Sequence, residues 1–97
     1  LSRLRWAVSL QLAKADMLGV DVPVARVVRV FNLNSGLVYR FLRRLEGEGL
    51  VERAGRGRYR LRDTSRARAW AEYVLGTVEA TGYEYFQRLV PEVYYYV

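Results

Sequence analysis

The 97-residue chain carries 16 basic and ten acidic side chains, a formal net charge of +6, and neither histidine nor cysteine. Lys14 is its single lysine, so fifteen of the basic residues are arginine. Without His or Cys there is no Ser-His-Asp or Cys-His catalytic site, no imidazole or thiolate metal ligand and no disulfide. The expectation is therefore a protein that is not an enzyme and holds no metal or cofactor. The length suits one domain that buries roughly 65% of its unfolded surface, and an apolar content of 52% is too high for a disordered basic tail. No apolar run approaches the length of a membrane span, and Trp6–Leu10 is too short for a signal peptide. A soluble cytoplasmic protein with no membrane association is expected. The opening Leu1-Ser2-Arg3, without a methionine, reads as an N-terminus that has been trimmed. Only two Asn and two Gln beside abundant arginine hint at a thermophilic source.

Ser2 is placed to cap a first helix that runs to about Leu18 and closes at Gly19. Leu4, Val8, Leu12 and Ala15 recur at helical spacing, with Trp6, Leu10 and Met17 widening the stripe. Asp21 ahead of Val22-Pro23 predicts a second helix start with proline in its first turn. Val24, Val27, Val28 and Phe31 form its buried stripe, while Arg26 and Arg29 fall on other faces. Asn32-Leu33-Asn34 reads as a short turn whose Asn34 caps a third helix, Ser35 to about Glu48, ended by Gly47 and Gly49. The period then changes to two. Leu50–Ala54 predicts a strand, Gly55–Gly57 a turn and Arg58–Arg62 a returning strand, with its arginines on one face and Tyr59 and Leu61 on the other. Asp63 or Thr64 caps a fourth helix to about Ala80, along which Ala67, Trp70, Ala71, Val74 and Val78 form the apolar line. Gly82 separates a final segment with Phe86, Leu89, Val90 and Val93, kinked at Pro91 and ending in Tyr94–Val97.

Charge is unevenly distributed along this order. Residues 1–39 carry +3, residues 40–68 carry +6 from ten arginines against four acids, and residues 69–97 carry −3. On a helical wheel the third helix turns Val38, Phe41, Leu42 and Leu45 to one side. The opposite side presents Gly36, Arg40, Arg43 and Gly47, flanked by Tyr39 and Arg44. A solvated charged face would be the ordinary reading of such a helix alone. Preceded by a packed helix and a short turn, and followed by an arginine hairpin, it has the geometry of a helix-turn-helix reader in a major groove. In the hairpin, Arg56, Arg58, Arg60 and Arg62 crowd seven residues, and such repulsion is costly unless an anion neutralises it. An edge strand needs only one or two charges to resist aggregation, so this hairpin reads as a wing, 53–62, that grips phosphates or enters a minor groove.

The run Asn34-Ser35-Gly36-Leu37-Val38-Tyr39, then Leu42-Arg43-Arg44-Leu45-Glu46-Gly47-Glu48-Gly49-Leu50-Val51-Glu52, then the Gly-Arg-Gly-Arg-Tyr-Arg-Leu wing, resembles a winged helix-turn-helix transcription factor, closest to the PadR and MarR groups of prokaryotic regulators. The resemblance covers about residues 22–62. It implies a mainly α fold with a small β-hairpin wing, a homodimer and a near-palindromic double-stranded DNA site. It places Ser35, Gly36, Tyr39, Arg40 and Arg43 on the recognition helix and Arg56 and Arg58 at the wing tip, with Leu42, Leu45 and Val51 as core. Arg44 and Arg60 complete the expected DNA-binding set. Many relatives carry lysine or threonine where this chain has arginine or Gly36, so the resemblance does not extend to the operator. Residues 1–62 are thus expected to bind DNA and residues 63–97 to dimerise, within one compact domain.

Other functions fit less well. Glu46 and Glu48 face different ways on a helix and Glu52 sits on a strand, so no carboxylate pair has a hydrolase's placement. Eight tyrosines and two tryptophans are ordinarily core or interface, and a small-molecule effector has no other support in the sequence. The competing reading is a winged helix that binds RNA or a protein partner. Concentrated arginine speaks against a pure protein adaptor, whereas phosphate gripping alone does not separate RNA from DNA. Candidates for a two-fold interface are Trp70, Val74, Val78, Phe86 and Val93, shared with the first helix around Trp6 and Leu10.

Overall fold

The computed structural model describes residues 3–81, so the Ser2 cap and the predicted segment from Gly82 to Val97, with Phe86, Pro91 and Val93, lie outside the described residues. Helix α1 (Arg3–Leu18) ends with Gly19 N–H on the Asp16 carbonyl and Val20 N–H on the Ala15 carbonyl, the paired bonds of a Schellman cap. Every residue from Trp6 to Ala13 is buried, including Ser9 and Gln11. An amphipathic stripe does not bury a helix all round; α1 is the central helix, in contact with the sheet, α3 and α4. Met17, expected to widen the stripe, is instead 72% exposed, because the helix has by then run past that packing.

The chain then departs from the predicted proline-led helix start. Val22–Pro23 form a two-residue strand, β1, paired antiparallel with β3 (Arg58–Leu61) in the register Val22↔Tyr59 and Pro23↔Arg58. Proline lacks a ladder donor and is confined to sheet edges, and β1 is an edge in the order β1-β3-β2. Helix α2 (Val24–Val30) begins one residue later, with extended Pro23 as its N-cap, and the Val24 N–H bonds the carbonyl of Gly57. Val24, Val27 and Phe31 are buried as expected, and the Arg3 guanidinium donates to the Phe31 carbonyl at 2.9 Å, satisfying the helix end.

Asn34 caps α3 (Ser35–Gly47), its side chain accepting from the Leu37 N–H at 3.0 Å. The helix closes at Gly49 (φ +77°), where the Leu50 N–H reaches the Leu45 carbonyl and the chain turns into β2 (Val51–Gly55). Val38, Leu42 and Leu45 are buried, whereas Phe41 is half-buried, with the Arg5 guanidinium 5.8 Å over its ring. Strands β2 and β3 pair antiparallel with an irregularity between Arg53 and Gly55, and β3 alternates as expected, Tyr59 and Leu61 inward and Arg58 and Arg60 outward. The Thr64 hydroxyl accepts from the Ala67 N–H at 3.1 Å and so caps α4 (Ser65–Thr81). Ala67, Ala71, Val74 and Val78 are buried, and α4 packs on α1. Val74, Val78 and Leu10, at 1–2% exposure, therefore belong to the core of the single chain and leave no surface for a partner. Trp6 is likewise core, and Trp70 is half-buried.

Candidate nucleic-acid interface

Helix α3 and the wing meet at Tyr39. Its ring is half-buried and lies edge-on to the fully buried Tyr59 of β3, with centroids 6.5 Å apart and planes at 65°. Its hydroxyl stands 3.7 Å from where a Cβ would sit on Gly57, in the wing turn. Gly57 needs its positive φ of +68° for that turn, and its carbonyl also anchors the start of α2. The wing turn is thus bonded to the start of α2 and lies beside α3 at Tyr39. From this junction α3 presents Ser35, Gly36, Arg40, Arg43 and Arg44 to solvent, and the turn presents Arg56.

The arginines of α3, the sheet and the wing turn divide into two sets by their partners, while Arg26, Arg29 and Arg66 elsewhere on the surface also lack a carboxylate within 4.0 Å among the described residues. Glu52 lies directly across the ladder from Arg60 and accepts from its Nε at 2.8 Å, while its other oxygen lies 4.0 Å from Arg62. Asp21 lies 3.9 Å from Arg58, and Asp63 pairs with Arg68. Arg44 pairs with Glu48 one turn along α3 at 3.5 Å. The outer face of the sheet, expected to be a row of uncompensated cations, is therefore a mixed-charge network. No carboxylate among the described residues lies within 4.0 Å of Arg40, Arg43, Arg53 or Arg56. Of the expected site residues, Ser35, Gly36, Tyr39, Arg40, Arg43 and Arg56 are brought together on α3 and at the wing turn. Arg58 and Arg60 face the opposite side of the hairpin with their counterions, and Arg44 is shared with Glu48.

Sequence reasoning left out Arg53. It lies across the ladder from Tyr59, on the inward face of the hairpin, and its Nε donates to the Tyr59 hydroxyl at 3.4 Å. That hydrogen bond, followed by the charge interaction with the same tyrosine, raises its pKa further above the ordinary arginine value. With Nε engaged, the terminal nitrogens remain open to further hydrogen bonds. The alternation Val51, Arg53 in β2 was the available signal: it puts Arg53 on the face that carries Tyr59, the face opposite Arg60.

A cleft of about 390 Å³ runs between α1 and α3, lined by Leu4, Leu37 and Phe41 together with Arg5, Arg40 and Arg44. Among the described residues no cluster of three or more acidic side chains is arranged to hold a metal ion, and no helix is long and apolar enough to cross a membrane.

No protein-family model matches the chain, and no curated protein matches it. Among solved structures it is similar to the crystal structure of a MarR family transcriptional regulator from Silicibacter pomeroyi DSS-3, with a TM-score of 0.66 and 22% identity. The match covers 97% of this chain and 68% of that one. The likeness, four helices and a three-stranded antiparallel sheet in matching arrangement, defines the fold as a winged helix-turn-helix.

Proposed function

We propose that the chain is a sequence-specific, double-stranded DNA-binding transcriptional regulator that acts as a homodimer. Helix α3 enters the major groove through Ser35, Gly36, Tyr39, Arg40 and Arg43, and the wing follows the adjacent backbone or minor groove through Arg53 and Arg56. The observation that carries this reading is the partition of the arginines. Among the described residues, Arg40 and Arg43 on α3 and Arg53 and Arg56 on the wing have no carboxylate within 4.0 Å, while Arg44 on α3 and Arg58, Arg60 and Arg62 on the outer sheet each have one. Arginine held without a counterion on a protein surface suits phosphate and guanine, which its planar fork meets with two hydrogen bonds. The similar fold of a MarR family transcriptional regulator is in keeping with the assignment.

The dimer surface in this reading involves residues 63–97 and is narrower than the apolar line of α4, since Val74 and Val78 are spent on the core. Tyr73, 62% exposed on α4, and half-buried Trp70 are its described members. The test compares duplex DNA, single-stranded DNA and duplex RNA at equal salt. Duplex DNA should bind best, and with about 4 phosphate contacts per protomer the log-affinity against log-salt slope should be roughly −7. Equal binding of duplex RNA would overturn the DNA assignment, and a slope near −1 would overturn the arginine–phosphate contacts. A monomeric mass by light scattering at micromolar concentration would remove the dimer.

A further inference from the structure

Leu37 is an anomaly on α3. The buried anchors of that helix are Val38, Leu42 and Leu45, and its exposed residues are otherwise polar or glycine, yet Leu37 is 48% exposed. Its backbone is held in the first turn, because its N–H is the one bonded by the Asn34 side chain. At Gly36 beside it a Cβ would lie 3.3 Å from the same Asn34 Oδ1 that makes the cap, so the capping side chain would have to give by a few tenths of an ångström. The first turn of α3 therefore offers a bare backbone at Gly36 and an exposed apolar side chain at Leu37, on a backbone held by the cap. On the helical wheel Leu37 lies about 60° from Arg40, so the two share one edge of the exposed face.

The major-groove edge of a duplex has one apolar feature, the C5 methyl of thymine. We propose that Leu37 reads a thymine methyl, with Gly36 allowing the close approach, and that Arg40 takes a guanine beside it. The rise from Leu37 to Arg40 is about 4.5 Å along the helix, against about 3.4 Å per base along one strand. The thymine and the guanine thus lie one or two base steps apart in each half-site. The inference rests on the reading that α3 enters a major groove, and it adds a base preference to that reading.

Deoxyuridine isolates the methyl, since it pairs with adenine through the same hydrogen bonds and lacks only that group. Duplexes enriched by the protein from a random pool would be resynthesised with deoxyuridine in place of each thymidine of one half-site in turn. At one thymine, within two steps of a required guanine, the replacement should weaken binding by about fourfold, the value of one buried methyl group. Leu37→Ala should bind the thymidine and deoxyuridine duplexes equally and keep the requirement for guanine. Indifference of the unmodified protein to every replacement would overturn the proposal, as would an undiminished deoxyuridine penalty in Leu37→Ala. Failure to enrich any duplex sequence would instead overturn the underlying DNA reading, so the two failures are distinct.

Discussion

If the partition of the arginines is functional, removing one from each set should have different consequences. Arg56, at the wing turn without a carboxylate partner, is assigned to phosphate; Arg60, 2.8 Å from Glu52 on the outer sheet, is assigned to the hairpin itself. Arg56→Ala removes one phosphate contact per protomer and two per dimer, and each contact contributes about 0.9 to the log–log salt slope. The slope should fall from roughly −7 to roughly −5. Between 50 and 200 mM salt, affinity should then drop by about 10³-fold in the variant, against about 10⁴-fold in the unmodified protein. Arg60→Ala loses an ion pair whose members are both more than a third exposed, worth about 0–1 kcal/mol. It should leave the slope within about half a unit of the original. Fluorescence anisotropy of one labelled duplex over a salt series measures both variants. Equal reductions of the slope, or a larger one in Arg60→Ala, would show that the outer face of the sheet lies on the nucleic acid and refute the partition.

Arg43→Ala should relax base preference and cost about 1–3 kcal/mol on the preferred site if it makes a bidentate guanine contact; a uniform loss over all sequences would assign Arg43 to phosphate. Asn34→Ala removes the α3 cap and should lower stability by about 0.5–2 kcal/mol in thermal or urea melts, with no loss meaning that solvent replaces the cap. Gly57→Ala places a side chain at φ +68° and should cost about 1–2 kcal/mol; since the new methyl would meet the Tyr39 hydroxyl only at ordinary contact distance, melts unaltered by the change would show that the wing turn relaxes freely. Burial holds the Lys14 ammonium below its ordinary pKa of 10.5. The unfolded chain therefore binds the extra proton between the lowered value and 10.5, and stability rises with pH across that window. Lys14→Met should remove this rise, so parallel pH profiles for the two proteins would contradict the assignment.

What was legible in the sequence follows from which interactions are local. The ends of α3 were readable because Asn34 and Gly49 act on backbone groups within a turn of themselves, and the inward Tyr59 and Leu61 because a strand alternates strictly. Strand β1 was not readable. Val22-Pro23 becomes a strand only because Tyr59 and Arg58, more than 30 residues later, lie beside it, and a proline after an aspartate locally favours a helix start. The neutralising role of Glu52 likewise depends on register, since only the pairing of Glu52 with Arg60 brings carboxylate and guanidinium together. An apolar stripe states that a face is covered without stating what covers it. For Val74 and Val78 the cover is the chain's own core, and for that reason Trp70 alone remains of the α4 residues expected at the interface, with exposed Tyr73 beside it.

The most direct test of the central assignment is selection of bound sequences from a random pool of duplex DNA by the full chain. A homodimer that places one α3 in each of two successive major grooves should enrich a near-palindrome with half-sites about 10 base pairs apart. Enrichment of an asymmetric single site would contradict the dimer, and recovery of a pool no different from the input would contradict sequence-specific DNA binding.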